Sequence, residues 1–169
     1  MLQDIVIDTN VLMHADDPRQ SRQAVTARLL EAIRTSQTKL CVDNLASLNS
    51  GKNRSQIMGE YLQHLAESSF GRRFLAYLAG SGRLVERSKS VTGTVGKFIN
   101  MNVPDKGCDR VFVKVALNSE EKLFASHDFD DFSRKTRKGL LKQLNVRIDE
   151  ASNVARLVGE ARSTDQSQD

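Results

Sequence analysis

The feature that most constrains the fold of this chain is a short apolar run near its amino terminus. Residues 4–7 have the sequence Asp-Ile-Val-Ile, and the run ends at Asp8-Thr9-Asn10. A nearly continuous β-branched run of this length is typical of a central strand buried on both faces, as in a parallel sheet. Further short runs predict strands at 39–43, 83–86, 122–126 and 145–149.

Segments with apolar residues at helical spacing separate these strands. In residues 19–34, for example, Val25, Leu29 and Ile33 lie at such intervals. Comparable patterns predict helices at 55–66, 70–80, 105–117, 132–144 and 151–161. Residues 88–103 are weakly patterned and are predicted to form a long connection. Strands that alternate with helices predict an α/β domain with a central, mostly parallel sheet.

Length and composition are those of one globular domain. The 169 residues are 39% hydrophobic and carry a net charge of +4, which permits a polyanionic partner without requiring one. The two cysteines, Cys41 and Cys108, are too few for a disulfide scaffold and lack zinc-ligand spacing. Without a signal peptide or a membrane-length apolar run, we expect a cytoplasmic protein. Its final residues, 163–169, are predicted to be a disordered tail.

Acidic residues follow two of the predicted strands and occupy two of the predicted helices. Asp8 ends the first strand and Asp128 follows the strand at 122–126, so both belong to the sheet edge where ligands bind in such folds. Asp105 and Asp109 would share one helix face, and Glu60 lies in an otherwise apolar helix. Converging carboxylates repel one another unless a cation lies between them, and Mg²⁺ or Mn²⁺ prefers such ligands. This pattern points to metal-dependent phosphodiester hydrolysis.

The stretches around these acids resemble the motifs of the PIN-domain (VapC-like) ribonuclease family. VIDTNVLMHA is similar to the first acidic motif, with Asp8 in the metal-site position, Thr9 as the neighbouring hydroxyl and Asn10 as the structural polar residue. SQIMGEYLQHL resembles the helix of the second motif and puts Glu60 in the second acidic position.

Two later stretches resemble the remaining motifs. DKGCDRVFVKVA is similar to the third, with Asp109 as the best match and Asp105 as its competitor. LFASHDFDDF resembles the last, with Ser126 in the small hydroxyl position and Asp128 as the fourth acid. The resemblance covers roughly residues 4–150, so residues 1–150 are predicted to form the nuclease domain and 151–169 a terminal helix and tail.

The resemblance implies a three-layer α/β/α fold and a Mg²⁺- or Mn²⁺-dependent endoribonuclease. Asp8, Glu60, Asp109 and Asp128 would be the catalytic and metal-binding residues, with Thr9, Asn10, Asp105 and Ser126 in support. Many bacterial members are toxins paired with an antitoxin, which makes an antitoxin a further expected class of partner. Family members often form homodimers, for which the apolar helices at 19–34 and 70–80 are candidates.

A basic segment lies directly downstream of Asp128. Its predicted nucleic-acid-binding residues are Arg134, Lys135, Arg137 and Lys138, with Lys142 nearby. A solvated helix face is the ordinary alternative for such a charge run. Further cations that could extend this track are Lys52, Arg54, Arg72 and Arg73. Aromatic residues make up only 5% of the chain, so base stacking is expected to be a minor feature.

Other interpretations stay open at the level of sequence. Asp8 could cap a turn, Asp109 could pair with a neighbouring cation, and Asp128 could belong to an ordinary acidic loop. A catalytically inactive module of the same fold could bind RNA or protein, and a flap-type DNA nuclease is a third possibility. The histidines, His14, His64 and His127, lack partners at ligand spacing and are not predicted as ligands.

Overall fold

The computed structural model describes residues 2–165, with side chains described as far as residue 160. Five strands form one sheet: β1 Asp4–Ile7, β2 Lys39–Asp43, β3 Leu84–Arg87, β4 Leu123–Ala125 and β5 Arg147–Asp149. The helices of this part of the chain are α1 Thr9–His14, α2 Gln23–Thr35, α3 Gln56–His64, α4 Phe70–Gly80, α5 Gly93–Asn102, α6 Asp109–Leu117, α7 Arg134–Leu144 and α8 Ala151–Asp165.

All the strand pairs are parallel, and the strand order is β3-β2-β1-β4-β5. Every residue of β1 is buried, including Asp4, whose carboxylate accepts backbone N–H groups from Glu120 and Glu121 and pairs with Arg87. Burial on both faces explains why this strand lacks the alternation of polar and apolar residues seen in half-exposed strands. The predicted α/β class and the parallel sheet are confirmed.

Helices cover the sheet to give a three-layer arrangement. Helix α6 packs against β1, β2 and β4, with α3 and α5 beside it, while α2 packs against α8. The buried side of α2 consists of Thr26, Leu29, Leu30 and Ile33, so the apolar face considered for dimerisation is occupied within the chain. The core includes stacked Phe112 and Phe124 from α6 and β4.

Several predicted element boundaries are wrong for identifiable reasons. Residues 93–102 form helix α5 rather than a connection; Thr92 caps it by accepting the Val95 N–H, which compensates for its weak pattern. The sequence does not predict helix α1, because its six residues are too few to show helical periodicity.

The helix predicted to begin near Asp105 begins at Asp109 instead. Gly107 has φ +49°, a left-handed conformation that interrupts a right-handed helix. Asp105 and Asp109 therefore do not share a helix face, contrary to the sequence prediction.

Helix α8 continues to Asp165 and so includes the first residues of the predicted tail, whereas residues 166–169 lie outside the described part. Within residues 2–165 no helix has the length and apolar character needed to cross a membrane.

Candidate active site

The candidate site lies where the strand order reverses. Strands β1 and β4 are neighbours in the sheet although more than one hundred residues separate them. From β1 the chain continues to β2 on one side of this pair, and from β4 it continues to β5 on the other side. Ligands of open α/β sheets bind at such switch points, beyond the carboxyl ends of the strands. A cavity of about 220 Å³ lies here, and its lining includes Asp8, Thr9, Asn10, Glu60, Lys106, Gly107, Asp109, Asp128 and Asp131.

Asp8 is fixed by the neighbouring strand. Its backbone N–H donates to the Ala125 carbonyl at 2.8 Å, and its Oδ2 accepts the Ser126 hydroxyl at 2.6 Å. The same Ser126 oxygen accepts the Asp128 N–H at 3.0 Å, so one buried hydroxyl orders two of the acids. The structure therefore places Ser126 in contact with both carboxylate-bearing segments.

Glu60 reaches the pocket from helix α3. Its Oε1 accepts the Thr9 hydroxyl at 2.9 Å, which links α3 to the start of α1. The next residue, Tyr61, is fully buried and donates its hydroxyl to the Ile7 carbonyl at the end of β1. These two contacts hold α3 against the carboxyl end of the central strand and bring Glu60 close to Asp8.

The start of α3 is secured by Asp43, a residue whose role the sequence prediction missed. This buried carboxylate ends β2 and accepts the Gln56 and Ile57 N–H groups at 2.9 Å each, together with the Ser55 hydroxyl. Lys89 neutralises it at 2.9 Å. Asp43 thus acts as a positioning residue for the helix that carries Glu60. The sequence contains an acid at the end of a predicted strand and a serine at the start of a predicted helix, but nothing in their spacing indicates that the two residues meet.

Asp109 enters the pocket at the first turn of α6. Its Oδ2 is buried and has no hydrogen-bond partner among the described residues. Burial, followed by the charges of Asp8, Asp131 and Asp128, raises its pKa to about 7. A carboxylate oxygen in this state is suited to a cation that the pocket would receive.

Asp105, the competing candidate, lies outside the pocket. Its side chain is 80% exposed and pairs with Arg110 at 3.0 Å. The pairing expected as an alternative for Asp109 is made by Asp105 instead, because the left-handed turn at Gly107 separates the two aspartates.

The rim of the pocket carries two residues absent from the predicted set, Lys106 and Asp131. The Lys106 ammonium lies 2.6 Å from Asp131 Oδ2 and 4.0 Å from Asp128 Oδ2, and this pairing raises its pKa. Gly107 brings the loop close to Glu60: a Cβ at this position would lie 3.1 Å from Glu60 Oε2. A side chain at this position would therefore press on the Glu60 carboxylate.

The pocket is strongly anionic. Its lining includes five acidic side chains and one lysine. Burial raises the pKa of Asp8 to about 6, an effect that its Ser126 and Asn10 hydrogen bonds oppose and that Glu60 and Asp128 reinforce. Such repulsion is relieved by a bound cation, and the all-oxygen donor set matches Mg²⁺ or Mn²⁺.

The oxygen ligands of this pocket suit such a cation, but their side chains do not surround a single point. Among the side chains described, no three Asp, Glu, His or Cys groups are gathered closely enough to hold a metal ion. Residues that could hold one are Asp8, Glu60, Asp109 and Asp128, which share the cavity lining. Their carboxylates would have to draw together around the ion.

The histidine next to Asp128 belongs to a structural pair. His127 and His14 stack with ring centroids 5.0 Å apart, and their Nδ1 atoms are joined by a 2.8 Å hydrogen bond. Burial, then the neighbouring His14 and Arg22, lowers the pKa of His127 to about 4, so it is neutral at physiological pH. The His127 N–H also donates to Asn10 Oδ1 at 3.3 Å, which gives Asn10 a positioning contact.

The predicted basic residues separate into different surfaces. Arg134, Arg137 and Lys138 line a second cavity, whereas Lys135 does not line it. Arg72 and Arg73 line another cavity near the start of α4, with Leu48 and Glu67.

Comparison with known proteins adds no further assignment: no family model, curated protein or solved structure matches this chain.

Proposed function

We propose that this protein is a metal-dependent endoribonuclease of the PIN-domain type, which hydrolyses RNA phosphodiester bonds. The supporting observation is that Asp8, Glu60, Asp109 and Asp128 come from four separate segments and line one pocket at the switch point of the sheet. The unpartnered, buried Asp109 Oδ2 adds to this support, because buried polar atoms normally have partners.

The four acids would hold one or two Mg²⁺ or Mn²⁺ ions. When bound, such an ion supplies positive charge for the transition state and acidifies a water molecule. Without cations, a phosphodiester would be repelled from a pocket lined by five carboxylates.

The chain's own residues position the reacting groups. Ser126 holds Asp8, and Thr9 holds Glu60 through Oε1, leaving Oε2 beside Gly107. One of the carboxylates orients the attacking water. The exposed Lys106 ammonium stands at the rim, where it would face a phosphate that enters the pocket.

A binding module without catalysis is the second candidate, because no three metal-ligating side chains among those described are gathered closely enough to hold an ion. Calorimetric titration with Mn²⁺ separates the two functions. We expect the wild-type protein and Asp105→Asn to take up Mn²⁺, and Asp8→Asn or Asp109→Asn to lose most of that affinity. Equal Mn²⁺ uptake by all variants, or none by the wild type, would favour the binding module.

The choice of RNA as substrate needs a separate test. Labelled RNA and DNA strands of the same sequence, each incubated with Mn²⁺ or with EDTA, compare the two substrates directly. We expect metal-dependent cleavage of RNA; preferential cleavage of DNA would support the flap-type alternative. An antitoxin partner and a homodimer stay predictions from the resemblance.

A further inference from the structure

A second cavity, of about 310 Å³, lies between helix α7 and the edge strand β5. It is lined by Arg134, Arg137, Lys138, Leu141, Arg147 and Ile148. We name it the basic pocket. It contains four of the chain's cationic side chains, and its lining has no acidic residue.

Helix geometry explains why only part of the basic segment contributes. Arg134, Arg137, Lys138 and Leu141 are spaced i, i+3, i+4 and i+7, which places them along one face of α7. Lys135 and Lys142 lie roughly 100° further around the helix. Neither lines the basic pocket, although both are exposed.

The opposite wall comes from Arg147, which begins β5 at the edge of the sheet. Its guanidinium pairs with Asp149 at 2.6 Å and is 46% exposed. By contrast, Arg134 and Lys138 have no acidic partner within 4.0 Å among the described side chains, and both are exposed. The pocket therefore presents two cations without an ion-pair partner, and the apolar residues of its lining are Leu141 and Ile148.

Arg137 connects this pocket to the candidate active site. Its guanidinium carbon lies 4.3 Å from the ring centroid of Phe129, the residue that follows Asp128. Its Nε donates to the Phe132 carbonyl at 3.1 Å, and the Phe132 N–H donates to the Asp128 carbonyl. Arg137 is thereby held in place, and the chain segment between the two pockets is short and internally bonded.

We infer that the basic pocket binds a backbone phosphate of single-stranded RNA, with Arg134, Lys138 and Arg147 as the contacting residues. The choice of RNA as ligand rests on the proposed function, since the strand would continue from this pocket into the acidic one. Guanidinium groups from two elements suit the oxygens of a phosphate, and Lys138 adds a point charge. The location on one helix face makes the site distinct from a generally basic helix.

The test compares two variants that remove equal charge from α7. Arg134→Gln/Lys138→Gln removes two pocket cations, and Lys135→Gln/Lys142→Gln removes two cations outside it. Binding of a labelled single-stranded RNA is followed by fluorescence anisotropy in EDTA over a range of salt concentrations. Because this assay needs no cleavage, a catalytically inactive protein can still show the predicted RNA binding. Failure of the proposed nuclease function is measured separately, by the cleavage assay with Mn²⁺.

We expect the pocket variant to lose its phosphate contact. At about 0.7 per phosphate neutralised, the slope of log affinity against log salt falls by about 0.7, a loss of about fivefold near 0.1 M salt if binding at 1 M is unchanged. The control variant should bind within about 1.5-fold of wild type. Arg147→Gln should weaken binding in the same direction as the pocket variant. Thermal unfolding verifies that each variant is folded.

Equal weakening of the two double variants would overturn the inference, because it would indicate diffuse attraction to a basic helix. Wild-type affinity in the pocket variant, or no RNA binding by the wild type, would overturn it as well. Polyglutamate serves as a competing polyanion without phosphate. If it binds through the basic pocket and RNA does not, the occupant is an acidic protein partner and the RNA inference is wrong.

Discussion

Replacing Asp8 by Asn should stabilise the folded protein by an amount that depends on pH. Burial raises the pKa of Asp8 to about 6, whereas an aspartate in an unfolded chain titrates near 3.9. The folded state therefore binds this proton more tightly, and its stability falls as pH rises from about 4 to above 6. A difference of about 2 between the folded and unfolded pKa values corresponds to about 3 kcal/mol in the free energy of unfolding. Asn cannot ionise and escapes this loss, while its side-chain oxygen can still accept the Ser126 hydroxyl.

Urea unfolding followed by far-ultraviolet circular dichroism measures this effect. The free energy of unfolding of Asp8→Asn should exceed that of wild type by up to about 3 kcal/mol near pH 7.5 and by little near pH 4. Asp105→Asn is the matched control, because Asp105 is 80% exposed and lies outside the pocket. A difference between Asp8→Asn and wild type that is the same at both pH values, or a less stable variant at neutral pH, would refute the reasoning.

Two further substitutions test the loop over the pocket. Gly107→Ala should lose about 1–2 kcal/mol of stability from its left-handed backbone and, by displacing Glu60, about tenfold in cleavage rate. Gly82→Ala, at φ +69° with open space around it, should lose stability alone; equal activity of the two variants would contradict the role of the contact with Glu60. Lys106→Gln removes the cation paired with Asp131 and should raise Mn²⁺ affinity two- to fivefold by calorimetry, the range of an exposed ion pair; unchanged or weaker Mn²⁺ binding would be the contrary result.

The sheet and its central strand were predictable because the apolar run at 4–7 has a clear physical signature. Acids at the ends of strands follow from the same parallel order, which is why Asp8 and Asp128 could be placed at one edge before the structure was known. The start of helix α6 was not predicted, since a glycine such as Gly107 is compatible both with the interior of a helix and with a left-handed turn before it. Consequently the separation of Asp105 from Asp109 appears only in the structure.

Long-range contacts account for the other residues that sequence reasoning missed. Asp43 caps a helix that starts thirteen residues after it, and Lys106 reaches Asp131 across twenty-five residues. Neither pairing follows from local spacing. The division of the basic segment into a pocket-lining face and an outer face also depends on where β5 supplies Arg147.

The central claim is metal-dependent hydrolysis of RNA at the acidic pocket. It is tested most directly by incubating a labelled single-stranded RNA with purified wild type, Asp8→Asn and Asp105→Asn, each with Mn²⁺ and with EDTA. Cleavage by wild type and Asp105→Asn with Mn²⁺ only, and none by Asp8→Asn, is the predicted result. Cleavage that persists in EDTA, or that Asp8→Asn retains in full, would contradict the claim.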